Sequence, residues 1–152
     1  MKKLISVIII LCLIALVGWW RSVSAYSVPV HYLVLSPLEQ GIFLGLNVRR
    51  QQAGLRPLYL RDDLIAGSRD RADFLVNHHQ WSHDGWIAGF KNIGITYGHI
   101  GENLARNFST PNEYVTAWMN SPSHRANIVN NHYNYIGIGQ DGSLVVTWFS
   151  EK

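Results

Sequence analysis

The chain has 152 residues, 47% of them hydrophobic and only 15% charged. That is enough chain for one domain, and it is too apolar for a disordered segment or a charged tail. The net charge of +3 equals the three basic residues Lys2, Lys3 and Arg21 of an opening segment that contains no acid, so the remainder is balanced and a nucleic-acid function has no electrostatic basis.

Lys2 and Lys3 precede an apolar run from Leu4 to Trp20, followed by Arg21-Ser22-Val23-Ser24-Ala25. A positive start, an apolar middle and small residues at a cleavage position make residues 1–25 a secretory signal cut after Ala25. The run also reaches the lower limit of roughly 17–25 residues for a bilayer span, so an uncleaved anchor is the alternative. Either way the domain lies outside the cytoplasm. Cys12 is the only cysteine and sits inside this run, so the exported part holds itself together without disulfides.

Residues 26–35 read as an extended lead-in to a domain over 36–152, since Tyr26 to Pro37 contains two prolines and little helical periodicity. Leu38 to Ala53 has helical spacing through Leu38, Ile42 and Leu46, and Gly54 ends it. Leu55 to Leu58 is an extended connection. Asp62 or Asp63 caps a second helix to about Asn77, with Ile65, Ser68, Ala72, Leu75 and Val76 facing inward and Asp63, Arg69, Asp70 and Asp73 outward. A glycine-rich loop from Asn77 to Gly101 follows, with a helical turn near Trp86 to Phe90. Trp81, Trp86 and Phe90 are core candidates, some of which can line an apolar groove. Thr110-Pro111-Asn112-Glu113 is a capping box for a helix that buries Val115, Trp118 and Met119. Ser121-Pro122 restarts the chain as a second cap for a short helix to about Val129.

The C-terminus reads as a hairpin about the turn Asp141-Gly142. Pairing outward sets Ile138 and Ile136 opposite Val145 and Thr147 on one face. On the other, Leu144, Val146 and Trp148 stand opposite Gly139, Gly137 and Tyr135. Both faces are apolar, so helices must cover both, and Gly137 and Gly139 allow one neighbour to approach closely. The expected fold is α+β, a three-layer α-β-α sandwich with a small antiparallel sheet, to which a strand near Asn103 to Asn107 adds a third partner.

Four segments carry a resemblance when taken in order: Trp81-Ser82-His83-Asp84-Gly85, Gly101-Glu102-Asn103-Leu104-Ala105, Trp118 to Ile128, and Tyr135-Ile136-Gly137-Ile138-Gly139. Together with Leu46-Asn47-x-x-Arg50 and Gly54-Leu55-x-Pro57-Leu58, this order resembles the CAP superfamily of cysteine-rich secretory, antigen-five and pathogenesis-related proteins, and in particular its compact bacterial SCP-like branch. The resemblance implies an α-β-α sandwich and a cleft with two histidines and two acidic residues. His83, Glu102 and His124 match three of these. Ser121 stands where many members carry the fourth, an acid, for which Asp84 or Glu113 are possible substitutes.

Two imidazoles and a carboxylate make an open zinc shell with a place for water. They also make a base, an orienting group and an acid without metal, with Glu102 as the candidate catalytic residue. Glu102 follows Gly101 on an expected turn. His124 falls in the first turn of a helix, where the positive end of the dipole keeps its ring neutral. No Gly-x-Ser-x-Gly or reactive cysteine is present, and Ser82 and Ser123 are poor nucleophile candidates beside their histidines. His78, His99 and His132 read as polar loop residues, with His78 or His79 entering the cleft as the alternative. The expectation is an extracytoplasmic binding or interaction module with lipid, peptide or cell-envelope partners, no nucleic acid, and a membrane association only through an uncleaved N-terminal segment. A zinc-assisted, peptidase-like hydrolase using the same cleft is the alternative.

Overall fold

The computed structural model describes residues 34–96 and 98–152. The signal or anchor segment, most of the lead-in and Cys12 lie outside the described residues. Five helices and four strands follow in the order α1 (Pro37–Gln52), β1 (Tyr59–Leu60), α2 (Asp62–Asn77), α3 (Trp86–Asn92), β2 (Ile100–Ala105), α4 (Pro111–Asn120), α5 (Pro122–Ile128), β3 (Tyr135–Asp141) and β4 (Leu144–Ser150). No described helix is long and apolar enough to cross a membrane.

The sheet order is β1-β3-β4-β2. The three long strands are antiparallel, and the two-residue β1 adds a parallel pairing, Tyr59 with Tyr135 and Leu60 with Ile136, where the sequence suggested only a connection. The third antiparallel strand runs from Ile100 to Ala105, earlier than expected.

The hairpin differs from expectation in its turn. Asp141 pairs with Leu144, so the two central residues are Gly142, at φ 54°, and Ser143. A glycine with positive φ in the first central position suits a two-residue hairpin loop of the II′ kind. Ile138 therefore meets Thr147, and Gly137 meets Trp148. The slip is two residues, one full side-chain period, so every side chain keeps its expected face.

Those faces carry two cores. Ile136, Ile138, Val145 and Phe149 pack with Ile42 and Leu46 of α1, Tyr114, Val115 and Trp118 of α4, and Ile128 of α5. Leu104, Leu144, Val146 and Trp148 pack with Leu64, Ala72 and Leu75 of α2 and Phe90 of α3. Helices thus cover both sides of the sheet, which is the three-layer arrangement. Gly137 and Gly139 lie against the α2 backbone, and a Cβ on either would run into the main chain at Leu64 or Ser68.

The expected capping box of Thr110 with Glu113 is formed, and the structure adds one of Ser36 with Glu39 that the sequence reading does not name. Two expected caps are not formed. Arg61 precedes α2 while Asp62 and Asp63 sit in its first turn, and Ser121 precedes α5 without a side-chain cap bond. Val76 is turned outward, and Arg71 takes a place on the buried stripe of α2 instead.

The α1 motif residues tie this helix to the rest of the domain. Asn47 bonds both backbone groups of Leu58, at 3.1 and 2.7 Å. Arg50, 1% exposed, spends its guanidinium on four carbonyls: Arg56 at 2.9 Å, Ile128 and Asn130 at 2.8 Å, and Tyr133 at 3.1 Å. It has no carboxylate partner among the described residues, and burial together with nearby Arg56 holds its pKa below the usual value.

Candidate functional site

His83, Glu102 and His124 come from a loop, a strand and a helix, and they meet at the β2 side of the sheet. His83 lies in the loop before α3, followed by Gly85 at φ 79°. Glu102 is not on a turn but within β2, opposite Trp148 and 4% exposed. His124 is in the first turn of α5. Its position is held from the strand, because Asn103 donates to the His124 carbonyl at 3.1 Å. Asn127, one turn further on, donates to the Glu102 carbonyl at 3.1 Å and to the Asn103 side chain at 2.8 Å. An asparagine pair therefore fastens α5 to the outer edge of β2.

Glu102 is a buried carboxylate with both oxygens engaged. Oε1 accepts from His83 Nδ1 at 2.8 Å. Oε2 accepts from Arg71 Nε at 3.2 Å and from Trp148 Nε1 at 2.9 Å. A carboxylate beside a guanidinium and an indole N–H is ionised and accepts only, so Nδ1 of His83 carries the proton. In the neutral form of this tautomer Nε2 is the lone-pair nitrogen. That ring is half exposed, so Nε2 has access to solvent.

The His83 and His124 rings are 6.2 Å apart between centroids and tilted by 52°. The His124 ring is held below its ordinary pKa, first by burial and second by the His83 ring. The sequence reading expected this direction from the helix dipole; in the structure, burial of the ring is the leading cause.

The two imidazoles are the nitrogen donors brought together here, and the Glu102 oxygens face His83, Arg71 and Trp148. Among the described residues no group of three or more histidine, cysteine or acidic side chains is arranged to hold a metal ion. Neither suggested fourth acid fills the gap. Glu113 is committed to the cap of α4, accepting from the Ser109 and Thr110 N–H groups, which hold its pKa down. Asp84 accepts from the Ser82 hydroxyl at 3.1 Å.

Arg71 and Trp148 are the site residues that sequence reasoning passed over. Arg71 also donates to the Ser82 carbonyl at 2.9 Å and so fixes the His83 loop. Its signal was available: Leu64, Ser68, Arg71 and Leu75 lie on one helical stripe, and an arginine there must find buried acceptors. Trp148 stacks on Phe90 at 4.4 Å, and its indole N–H needed a partner once buried. A groove of about 440 Å³ opens between α2 and α3 with Arg71, Trp148 and Asp84 among its walls. Neither imidazole lines it.

A family model described as the cysteine-rich secretory protein family, CAP, matches residues 45–142. An uncharacterized Bacillus subtilis protein, YkwD, is 34% identical over 125 residues, which cover 78% of this chain and 49% of that protein. Among solved structures, an extracellular protein with an SCP domain from Bacillus anthracis aligns with a TM-score of 0.72 at 21% identity, over 78% of this chain and 45% of that one. An outer surface protein from Borrelia burgdorferi aligns with a TM-score of 0.70 at 20% identity, over 78% of this chain and 96% of that one. The chain spans about half the length of YkwD. With the α-β-α layers, the ordered motifs and the matched span all in agreement, the chain belongs to the cysteine-rich secretory protein (CAP) family.

Proposed function

We propose that this is an extracytoplasmic binding domain whose His83 and His124 rings hold a divalent cation, most suitably zinc, with Glu102 as the buried carboxylate that orients His83. The observation that carries this reading is the engagement of both Glu102 oxygens, which accept from His83, Arg71 and Trp148. A carboxylate so held positions a histidine ring. The hydrolase alternative requires Glu102 instead to take a proton from water, and its oxygens are turned to protein donors. When bound, the cation would supply a Lewis-acidic anchor for an oxygen or nitrogen atom of a ligand. The chain's own contribution is to aim the His83 ring through Glu102 and to bring the His124 ring beside it.

The expected signal or anchor at residues 1–25 supports an extracytoplasmic location. So does the likeness to an extracellular SCP-domain protein and to an outer surface protein. Elemental analysis and zinc titration of wild type against His83→Ala/His124→Ala tests the cation site. Wild type is expected to retain zinc and the double variant to lose it. Equal retention by both overturns the proposal.

A further inference from the structure

Three helices close with the same pair of backbone bonds. After α1, the Gly54 N–H reaches the Gln51 carbonyl and the Leu55 N–H reaches Arg50. After α3, Gly94 and Ile95 do the same toward Lys91 and Phe90. After α2, the His79 N–H reaches Val76 and the Gln80 N–H reaches Leu75. The motif needs a left-handed residue, and glycine supplies it twice, at φ 72° and 83°. At the end of α2 the position belongs to His79, at φ 51°. A side chain there costs free energy that glycine avoids. The other non-glycine residue with positive φ among the described residues is Asn107, at 68°.

Both strained residues border one groove of about 340 Å³, where the end of α2, the following loop, the exit of β2 and the β3–β4 turn come together. That volume is within the range of roughly 300–1,000 Å³ for small-ligand sites. Trp81 stands in it 46% exposed, against the expectation that it is core. The Arg106 guanidinium lies 4.6 Å from the centre of the Trp81 ring and holds one of its faces. The side chains of His79, Gln80, Trp81, Arg106 and Asp141 make no hydrogen bond or ion pair within the protein among the described residues. Val76 and Leu144 add apolar wall.

We propose that this groove is an oligosaccharide-binding site, with the apolar face of a pyranose ring on Trp81 and its hydroxyls on the polar side chains around it. The groove offers donors and acceptors in mixture, and a sugar hydroxyl serves as either. The Arg106 and Asp141 charges balance, so the groove selects neither an anion nor a cation. An extended peptide has no strand edge to join here. On the free edge of β2 the Leu104 carbonyl already accepts from Trp118 Nε1 at 3.0 Å, and the Glu102 carbonyl from Asn127. The strained His79 and Asn107 fit a site in which side-chain placement outweighs backbone cost. This groove shares no lining residue with the imidazole pair: His83, Glu102 and His124 do not border it.

The test is calorimetric titration of the protein with an N-acetylglucosamine tetramer and, separately, with cellotetraose. At least one is expected to bind wild type with a Kd of about 1 mM or tighter. Trp81→Ala is expected to weaken that binding about tenfold, a loss of one stacked ring. His79→Gly relieves the backbone and so preserves the fold; it is expected to bind more weakly with an unchanged or raised thermal midpoint. Absence of binding by both sugars overturns the proposal, as does binding that survives Trp81→Ala in a folded variant.

Discussion

Glu102 and Trp148 stand directly opposite one another on β2 and β4, and the indole Nε1–H donates to the Glu102 carboxylate at 2.9 Å. The largest ring of the α2–α3 core is thereby bonded to the acid that orients His83. Stability and site geometry are coupled through this pair.

Trp148→Phe keeps an aromatic ring against Phe90 but removes the donor. With Oε2 left to Arg71, stability is expected to fall by about 1–3 kcal/mol for the partly unsatisfied buried carboxylate and the space left by the smaller ring. Urea unfolding measures the loss. Proton NMR of the His83 ring is expected to show a changed Nδ1–H signal in the same variant, which a purely packing effect would leave in place.

Arg50→Met removes a buried cation and leaves the carbonyls of Ile128, Asn130 and Tyr133 without their donor. The expected cost is about 3 kcal/mol or more, since each abandoned buried acceptor loses its partner while the methylene packing is kept. Arg50→Lys is expected to recover only part of it, because one ammonium cannot span acceptors arranged for a planar fork. Equal stability of Arg50→Met and wild type in denaturant would rule this account out.

His124 has a pKa lowered from its ordinary 6.5 by burial and by His83. The unfolded chain therefore takes up the proton more readily than the folded one, and stability rises with pH across the interval between the folded value and 6.5. The contribution is complete above 6.5 and is lost as the pH falls through that interval. Unfolding curves at a series of pH values below 7 are expected to show a shallower acid loss in His124→Gln than in wild type. Identical slopes would mean that the ring titrates alike in both states.

His79→Gly places glycine where α1 and α3 already have it. Stability is expected to rise by about 1 kcal/mol, offset in part by the extra freedom of the unfolded chain. Thermal unfolding reads this directly, and a clear loss of stability would show that the His79 ring supports the fold instead of serving the groove.

Much of the architecture is legible in the residues alone. The capping box at Thr110, the glycine after α1, helical spacing and the two apolar faces of the hairpin are short-range patterns, and the backbone answers to them locally. The hairpin faces were right although the turn was displaced by one residue, because a slip of a full side-chain period leaves both faces as they were. The three site residues were reachable only through ordered motifs, since nothing in the spacing of His83, Glu102 and His124 brings them together. What the tertiary structure alone decided is how each buried charge is answered. Arg50 ends on carbonyls from three separate segments, and Glu102 ends on an arginine from α2, an indole from β4 and an imidazole from a loop. A charged side chain announces in sequence that it needs partners. Which partners it finds depends on elements distant in the chain that only packing brings within reach.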